Sequence, residues 1–202
     1  NRPFAGFSDI TALHLMLNRA GYVTYHAPVL TALAKASEPK PIWERLRKAL
    51  MGQMPATEQL DGSGNGLGSA AGPLIGGNLS LLSACLTIPD CALPEGAIVL
   101  IEEVSEWPYR IDRMLTGLIM SGVFDSASGF ALGSFDRCGS DPSEAAQVAI
   151  DCLSVLGKPI VSELPIGHRE QDLTVPLGAP TLIDSDNGHI VLSWQPESPL
   201  SV

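Results

Sequence analysis

The sequence predicts an α/β fold built around parallel strands. Near its front, a small apolar run at residues 4–6 leads into a helical pattern and then into a β-branched, aromatic alternation. Strand, helix, strand in that order is the unit of a parallel layer. Further on, buried-type runs such as GAIVLIEEV and GFALGSF alternate with stretches of helical period. The 202 residues are 45% hydrophobic and 17% charged, which is a globular composition able to build a core.

The elements follow in order. Ile10, Leu13, Leu17 and Ala20 recur at helical spacing, and Gly21 stops the helix, so residues 10–20 are predicted helical. YVTYHAPVL reads as a strand that leaves into a loop at Pro28. A central parallel strand needs neighbours on both sides. A layer opening at Phe4 therefore raises the expectation that an N-terminal portion is missing or lies on another chain. Residues 42–51 form a short amphipathic helix. Residues 55–73, with DGSGNGLGSAAG at their centre, read as a flexible linker or surface loop. GGNLSLLSACL is a glycine turn and then a helix with Asn78 as N-cap. GAIVLIEEV is a buried strand, YRIDRMLTGLIMSGVF a helix and GFALGSF a strand. DPSEAAQVAIDCLSVLG is a helix capped by Asp141, with Pro142 in its first turn and Gly157 at its end. PIVSELPIGH is a strand running into a loop, and APTLIDSDNGHIVLSW is a hairpin turning at Asn187-Gly188.

Charge and cysteine usage narrow the function classes. Lys and Arg number 12 against 22 Asp and Glu, a net charge of −10. An acidic surface repels phosphates, which argues against nucleic acid as a partner. Cys85, Cys91, Cys138 and Cys152 form no CxxC pair and have no histidine at zinc-finger spacing. They read as free, mostly buried thiols of a reducing compartment, with no metal site. No apolar run approaches the roughly 20 residues of a membrane helix, and no signal-peptide pattern opens the sequence. A cytoplasmic protein, away from membranes, is the expectation.

Polar residues stand at the ends of strands in three places: Ser8-Asp9, Glu102-Glu103 and Gly167-His168. Strand ends are where α/β folds collect ligands and catalytic groups. Serine, carboxylate and histidine are the parts of a hydrolytic triad. Gly6-Phe7-Ser8 resembles the sharp strand-to-helix turn of a nucleophile elbow, which would let the Asp9 N–H serve an oxyanion. Each piece has an ordinary reading as well. Ser8 or Asp9 can simply cap a helix. Glu102 and Glu103 can form a solvated strand end, and His168 can be a loop residue. His14 reads as a helix-face residue, His26 as shaping the loop at Pro28, and His189 as exposed beyond the hairpin turn. Spacing alone does not choose His168 among them.

Four stretches, in order along nearly the whole chain, carry a family resemblance: GFSDITALHLMLNRAGYVTYHAPVL, GGNLSLLSACLTIPD, IVLIEEVSEWPYRIDRMLTGLIMSGVF and LPIGHREQDLTVPLGAPTLID. Together they resemble the LD-carboxypeptidases, or muramoyltetrapeptide carboxypeptidases, which are serine peptidases with a Ser-Glu-His triad. The resemblance implies that Ser8 is the nucleophile, Glu102 the orienting acid and His168 the base. Glu103 falls where the family has Asp or Glu.

The resemblance also implies an architecture. Residues 1–38 would be the tail of a flavodoxin-like N-terminal domain carrying the nucleophile, and residues 39–73 a connector. Residues 74–202 would be a C-terminal α/β domain carrying Glu102 and His168, with the site at the domain interface. The family's N-terminal half-domain, with its glycine-rich loop, is not found in this sequence. The expectation is a fragment, a cleaved product, or a split protein whose other half is a separate chain.

The implied function is removal of the terminal D-alanine from murein tetrapeptides, at the amide to the L-centre of diaminopimelate, in cytoplasmic peptidoglycan recycling. The implied enzyme is a homodimer without metal or cofactor. The substrate's free carboxylate calls for an arginine or a backbone nest. Arg110, Arg113 and Arg169 are the candidates, although a structural ion pair is the commoner reading of each. A second reading is an immunity peptidase of the microcin C type, which cleaves aminoacyl-nucleotide analogues and needs an aromatic platform; Trp43 and Trp107 are available. A third is a non-catalytic binder of murein peptides.

Overall fold

Two sheets organise the chain. The computed structural model describes residues 2–29, 31, 34 and 37–194. The elements are β1 (Ala5–Gly6), α1 (Thr11–Arg19), β2 (Thr24–His26), α2 (Pro39–Leu50), β3 (Thr57–Asp61), β4 (Ser63–Gly64), β5 (Ser69–Asn78), α3 (Leu79–Cys85), β6 (Ile98–Val104), α4 (Pro108–Met120), β7 (Gly129–Asp136), α5 (Pro142–Ser154), β8 (Ile160–Ser162), β9 (Val175–Leu177), β10 (Pro180–Asp184) and β11 (His189–Ser193). The small sheet has the order β1-β2-β9, and the large one β3-β11-β10-β5-β6-β7-β8-β4. β5 to β8 are mutually parallel. The hairpin β10–β11 and β3 extend that sheet antiparallel on one side. The predicted α/β class and the parallel strands are thus present, flanked by antiparallel strands.

The front of the chain departs from its prediction in detail. β2 is shorter than the predicted strand, and Leu30, the last residue of that stretch, lies outside the described residues. Helix α1 buries Thr11, His14, Leu15 and Asn18 rather than the stripe through Leu13. Leu13 and Met16 are about half exposed. The polar residues lie inward because they serve backbone groups of the small sheet. Asn18 Nδ2 donates to Tyr22 O at 2.9 Å and Leu177 O at 3.2 Å. Thr11 Oγ1 donates to Ser8 O at 2.7 Å.

Residues 55–73 are not a linker. They supply β3, β4 and the first half of β5, which lies inside the large sheet between β10 and β6. The glycines reflect crowding instead of freedom: a Cβ on Gly72 would run into the Gly96 carbonyl. For the same reason Gly76-Gly77 continue β5 instead of forming a turn. Asn78 does cap α3, its side chain accepting from the Leu81 N–H at 3.3 Å. Asp141 caps α5 through the Ser143 N–H at 2.9 Å.

The core lies on both faces of the parallel strands. Val99 and Ile101 of β6 face a cluster with Leu82, Ile111, Leu115 and Phe130. Ile98 and Leu100 face the other way, toward Val161, Ile166 and Val175. Each such fully buried side chain contributes about 1.5–3 kcal/mol. Strand alternation carries past these residues, so the next two, Glu102 and Glu103, point to opposite faces. Among the described residues no helix is long and apolar enough to cross a membrane.

Candidate active site

Ser8 sits where β1 ends. The chain turns there into a 3-10 turn, Ser8–Ile10, ahead of α1. Its φ of 63° is a left-handed conformation that costs a non-glycine residue about 1–2 kcal/mol. The surroundings hold it there. Gly6 O accepts from the Ala27 N–H at 2.9 Å and from His14 Nε2 at 3.0 Å. Thr11 grips the Ser8 carbonyl as described. Ser8 is half-buried, and among the described residues its hydroxyl makes no hydrogen bond. The Asp9 N–H follows in a first turn whose leading N–H groups lack helical partners.

His14 is more than a helix-face residue. It is fully buried, with Nδ1 accepting from Thr24 Oγ1 at 2.7 Å while Nε2–H donates to Gly6 O. Burial lowers its pKa to about 4, against the pull of the Gly6 carbonyl. In the unfolded chain a histidine titrates near 6.5, so the unfolded state takes the proton first as pH falls. Stability from this group is therefore full above about pH 6.5 and is lost toward pH 4, by about 3 kcal/mol in total. In His14→Gln, whose amide N–H can still serve Gly6 O, urea unfolding at pH 7 and pH 4 shows that much less acid destabilisation than in the wild type. An unchanged difference between the two pH values refutes the assignment.

Glu102 and His168 meet. His168 Nδ1 lies 2.6 Å from Glu102 Oε2, the carboxylate being fully buried and the imidazole nearly so. Neither glutamate is a solvated strand end, since Glu103 is buried too. Burial alone would push the Glu102 carboxyl up. The hydrogen bond from His168 and the approach of His26 outweigh it and hold the group below the usual range. Between Ile101 and Glu103 the β6–β7 register shifts by one residue, at Gly133-Ser134 of β7. Such a bulge re-aims side chains. Here it brings Ser134 under the His168 loop, where Ser134 Oγ donates to Asp172 Oδ2 at 2.6 Å. The His168 N–H donates to Ser134 Oγ at 3.3 Å, and the Arg169 N–H to Asp172 Oδ2 at 2.8 Å. Gly167, at φ 146°, has no room for a side chain: a Cβ would strike Ser134 Oγ. Burial pushes the Asp172 carboxyl up, partly offset by these hydrogen bonds.

Phe7 connects the two halves of the site. Its ring packs 4.4 Å from that of His168 and 6.0 Å from that of His26. The residue before Ser8 thus touches the imidazole that Glu102 holds. His168 Nε2 is buried and has no hydrogen-bond partner among the described residues. A cavity of about 50 Å³ opens beside it, lined by Phe7, His26, Ile42, His168 and Arg169 among others. A larger one of about 240 Å³ shares Ile42, Asp172 and Leu173 and adds Glu38, Arg45 and Gln171.

The other predicted residues are scattered. Glu103 accepts from Asn78 Nδ2, from the Ser80 N–H and hydroxyl, and from the Val104 N–H, which ties the start of α3 to β6. Arg110 pairs with Glu106 at 2.5 Å, and Arg113 lies over the Tyr109 ring at 5.7 Å. Only Arg169 of the three lines the cavity at His168. Trp43 and Trp107 are exposed and line neither cavity. His189 is half-buried and opens β11. Cys85, Cys91, Cys138 and Cys152 are free thiols. Burial pushes Cys138 and Cys152 up to about 11, so neither is a ready thiolate. His26, read as shaping the loop at Pro28, ends β2 in register with Gly6, and its Nε2 stands 3.7 Å from Glu102 Oε1.

Residues 71–183 match the LD-carboxypeptidase C-terminal domain. A putative carboxypeptidase of Streptomyces coelicolor, SCO6489, is 40% identical over 198 residues, covering 95% of this chain and 62% of its own length. The murein tetrapeptide carboxypeptidase of Pseudomonas aeruginosa is 30% identical over 201 residues, covering 92% of this chain and 64% of its own. The chain therefore spans about three fifths of the length of the curated relatives it matches. Among solved structures, muramoyltetrapeptide carboxypeptidase from Oxalobacter formigenes superposes with a TM-score of 0.78 at 26% identity, over 94% of this chain and 66% of that one. The microcin C7 self-immunity protein MccF, in complex with aspartyl sulfamoyl adenosine, shares the fold at a TM-score of 0.79 and 23% identity, over 98% of this chain and 68% of that one. By sequence and by fold, this chain belongs to the LD-carboxypeptidase family.

Proposed function

We propose that this chain carries the catalytic machinery of a serine LD-carboxypeptidase that removes the terminal D-alanine from murein tetrapeptides. The observation that carries the reading is the buried His168 Nδ1–Glu102 Oε2 contact of 2.6 Å. It leaves Nε2 without a partner, next to a ring whose neighbour in sequence is a conformationally strained serine.

The steps follow the triad logic. Ser8 Oγ attacks the carbonyl carbon of the diaminopimelate–D-alanine amide, and its proton passes to His168 Nε2. Glu102 holds the imidazole by Nδ1–H and stabilises its cationic form. The Asp9 N–H donates to the oxyanion. The C–N bond then breaks, His168 returns the proton to the departing amine, and D-alanine leaves. Water next attacks the acyl-serine ester with His168 as base, which releases the tripeptide carboxylate and restores the Ser8 hydroxyl. Arg169, exposed at the mouth of the cavity beside His168, is placed to meet the free carboxylate of D-alanine. Arg45 lines the larger cavity but is held by Glu58 at 2.7 Å.

The test is a choice of substrates for the full-length protein. It is expected to release D-alanine from the tetrapeptide ending in diaminopimelate-D-alanine and to leave aminoacyl sulfamoyl adenosine largely intact. Cleavage of the sulfamoyl compound alone assigns the activity of the immunity peptidases instead. Binding of the tetrapeptide without hydrolysis of either assigns a binder.

A further inference from the structure

The carboxylate of Glu102 has two oxygens, and only one is accounted for by His168. The other, Oε1, is buried with no hydrogen-bond partner among the described residues, and so is His26 Nε2. These two atoms face each other at 3.7 Å, in side chains that are 0% and 1% exposed. We propose that His26 is a positioning residue that holds the second oxygen of Glu102, making the functional unit a line of imidazole, carboxylate and imidazole. This inference rests on the reading of Ser8, Glu102 and His168 as a triad.

The physical need is plain. A carboxylate in a dry site is costly unless both oxygens meet donors. His168 alone meets one. A second negative group stands close by: Asp172 Oδ2 and Glu102 Oε2 both lie within 3.3 Å of where a Cβ on Gly167 would stand. Burial and that neighbour both favour protonation of Glu102, and a protonated Glu102 cannot stabilise a cationic His168. An N–H at His26 Nε2 opposes both. It also resists rotation of the carboxylate, which keeps Oε2 aimed at His168. The 3.7 Å gap exceeds hydrogen-bond length and is too short to admit a bridging water, so the resting attraction acts directly across it. Catalytic contacts of this kind commonly tighten in the substrate complex.

The location fits a role in the site. His26 is the β2 residue in register with Gly6, two residues before Ser8, and with Val175 of β9. Phe7 packs against both imidazoles. The strand that leads into Ser8 therefore also sets the position of His26, so the turn at Ser8 and His26 are fixed by one small sheet.

Three substitutions in the full-length protein separate positioning from mere support. Gln places its amide nitrogen where Nε2 stands, Asn places it nearer Nδ1, and Leu offers no donor. His26→Leu and His26→Asn are expected to lower kcat about 10- to 100-fold, the weight of one hydrogen bond to a charged group, with KM little changed. His26→Gln is expected to recover most of that rate. The low-field proton resonance of the His168–Glu102 hydrogen bond, assigned by its loss in Glu102→Gln, is expected to move in His26→Leu and to return in His26→Gln.

The idea is overturned if the Leu variant turns over like wild type, or if Gln is no better than Leu or Asn in folded protein. Should Leu fail to fold, the comparison of Gln with Asn decides. Fluorophosphonate labelling of Ser8 keeps the two levels apart. If wild type neither labels nor releases D-alanine, the triad reading fails, and the resonance still reports whether His26 acts on Glu102.

Discussion

Ser8→Ala is expected to reduce D-alanine release by up to about 10⁶-fold, the scale seen when a serine peptidase loses its nucleophile. The hydroxyl is the only group removed, and among the described residues it supports no hydrogen bond. The fold has no reason to change, and tetrapeptide affinity should persist. Labelling by a fluorophosphonate should vanish together with turnover. Ser8→Gly provides a second readout. It is equally inactive, yet it relieves the left-handed conformation at φ 63°. Against the extra freedom glycine gains in the unfolded chain, that relief leaves it about 0.5–1 kcal/mol more stable than Ser8→Ala. Comparison with wild type separates the readings: a serine held in strain gains stability when replaced by glycine, whereas a serine that caps a helix loses a few tenths of a kcal/mol. D-Alanine release by Ser8→Ala at near the wild-type rate would end the serine assignment.

Much of the fold was legible because apolar runs and helix signals agreed. β6, β7 and the β10–β11 hairpin lie where alternation and turn residues put them, and α5 begins at its Asp141 cap. The glycine-rich stretch misled, because glycine marks both a flexible chain and a backbone squeezed by its neighbours. Only the strand order separates the two cases, as the crowding of Gly72 against Gly96 illustrates. The site divided in the same way. Ser8, Glu102 and His168 stood out as candidates by residue type and family likeness, but burial of Glu102 is a property of the assembled sheet. His26 gave no local sign of a tie to Glu102, since a histidine at the end of a strand two residues before proline looks like one that only shapes the loop beyond it. Its approach to Glu102 appears only once β1 and β2 pair. The stripe through Leu13 and the reading of His14 misled for a related reason: polar residues such as His14 and Asn18 point inward when strand ends beneath them need partners.

Glu102→Gln is expected to be the second most damaging change, lowering kcat by about 10⁴-fold, or about 5.5 kcal/mol of transition-state stabilisation. Glutamine keeps the volume, so the packing against Gly133 and Gly167 remains. What it loses is charge and acceptor-only character. Its amide can present N–H to His168 Nδ1, and that hydrogen bond makes Nδ1 the acceptor and places the ring proton on Nε2. An imidazole so arranged cannot accept a proton from Ser8. When the amide turns its oxygen to Nδ1 instead, the tautomer is right but no negative charge remains to stabilise the imidazolium. KM should change little, because Glu102 is fully buried and does not line either cavity. Unfolding temperature near neutral pH should fall, since the variant lacks the stabilisation that the hydrogen-bonded carboxylate gives the native state. The direction with pH also follows. The native carboxyl titrates below its ordinary value, so the native state is stabilised by the charged form above the unfolded pKa. That contribution is lost as pH falls through the native pKa, and it is absent from Glu102→Gln. A Glu102→Gln enzyme within tenfold of the wild-type kcat would show that His168 works without its carboxylate, and the imidazole would then have to be oriented by the Ser134 and Asp172 contacts to its own loop.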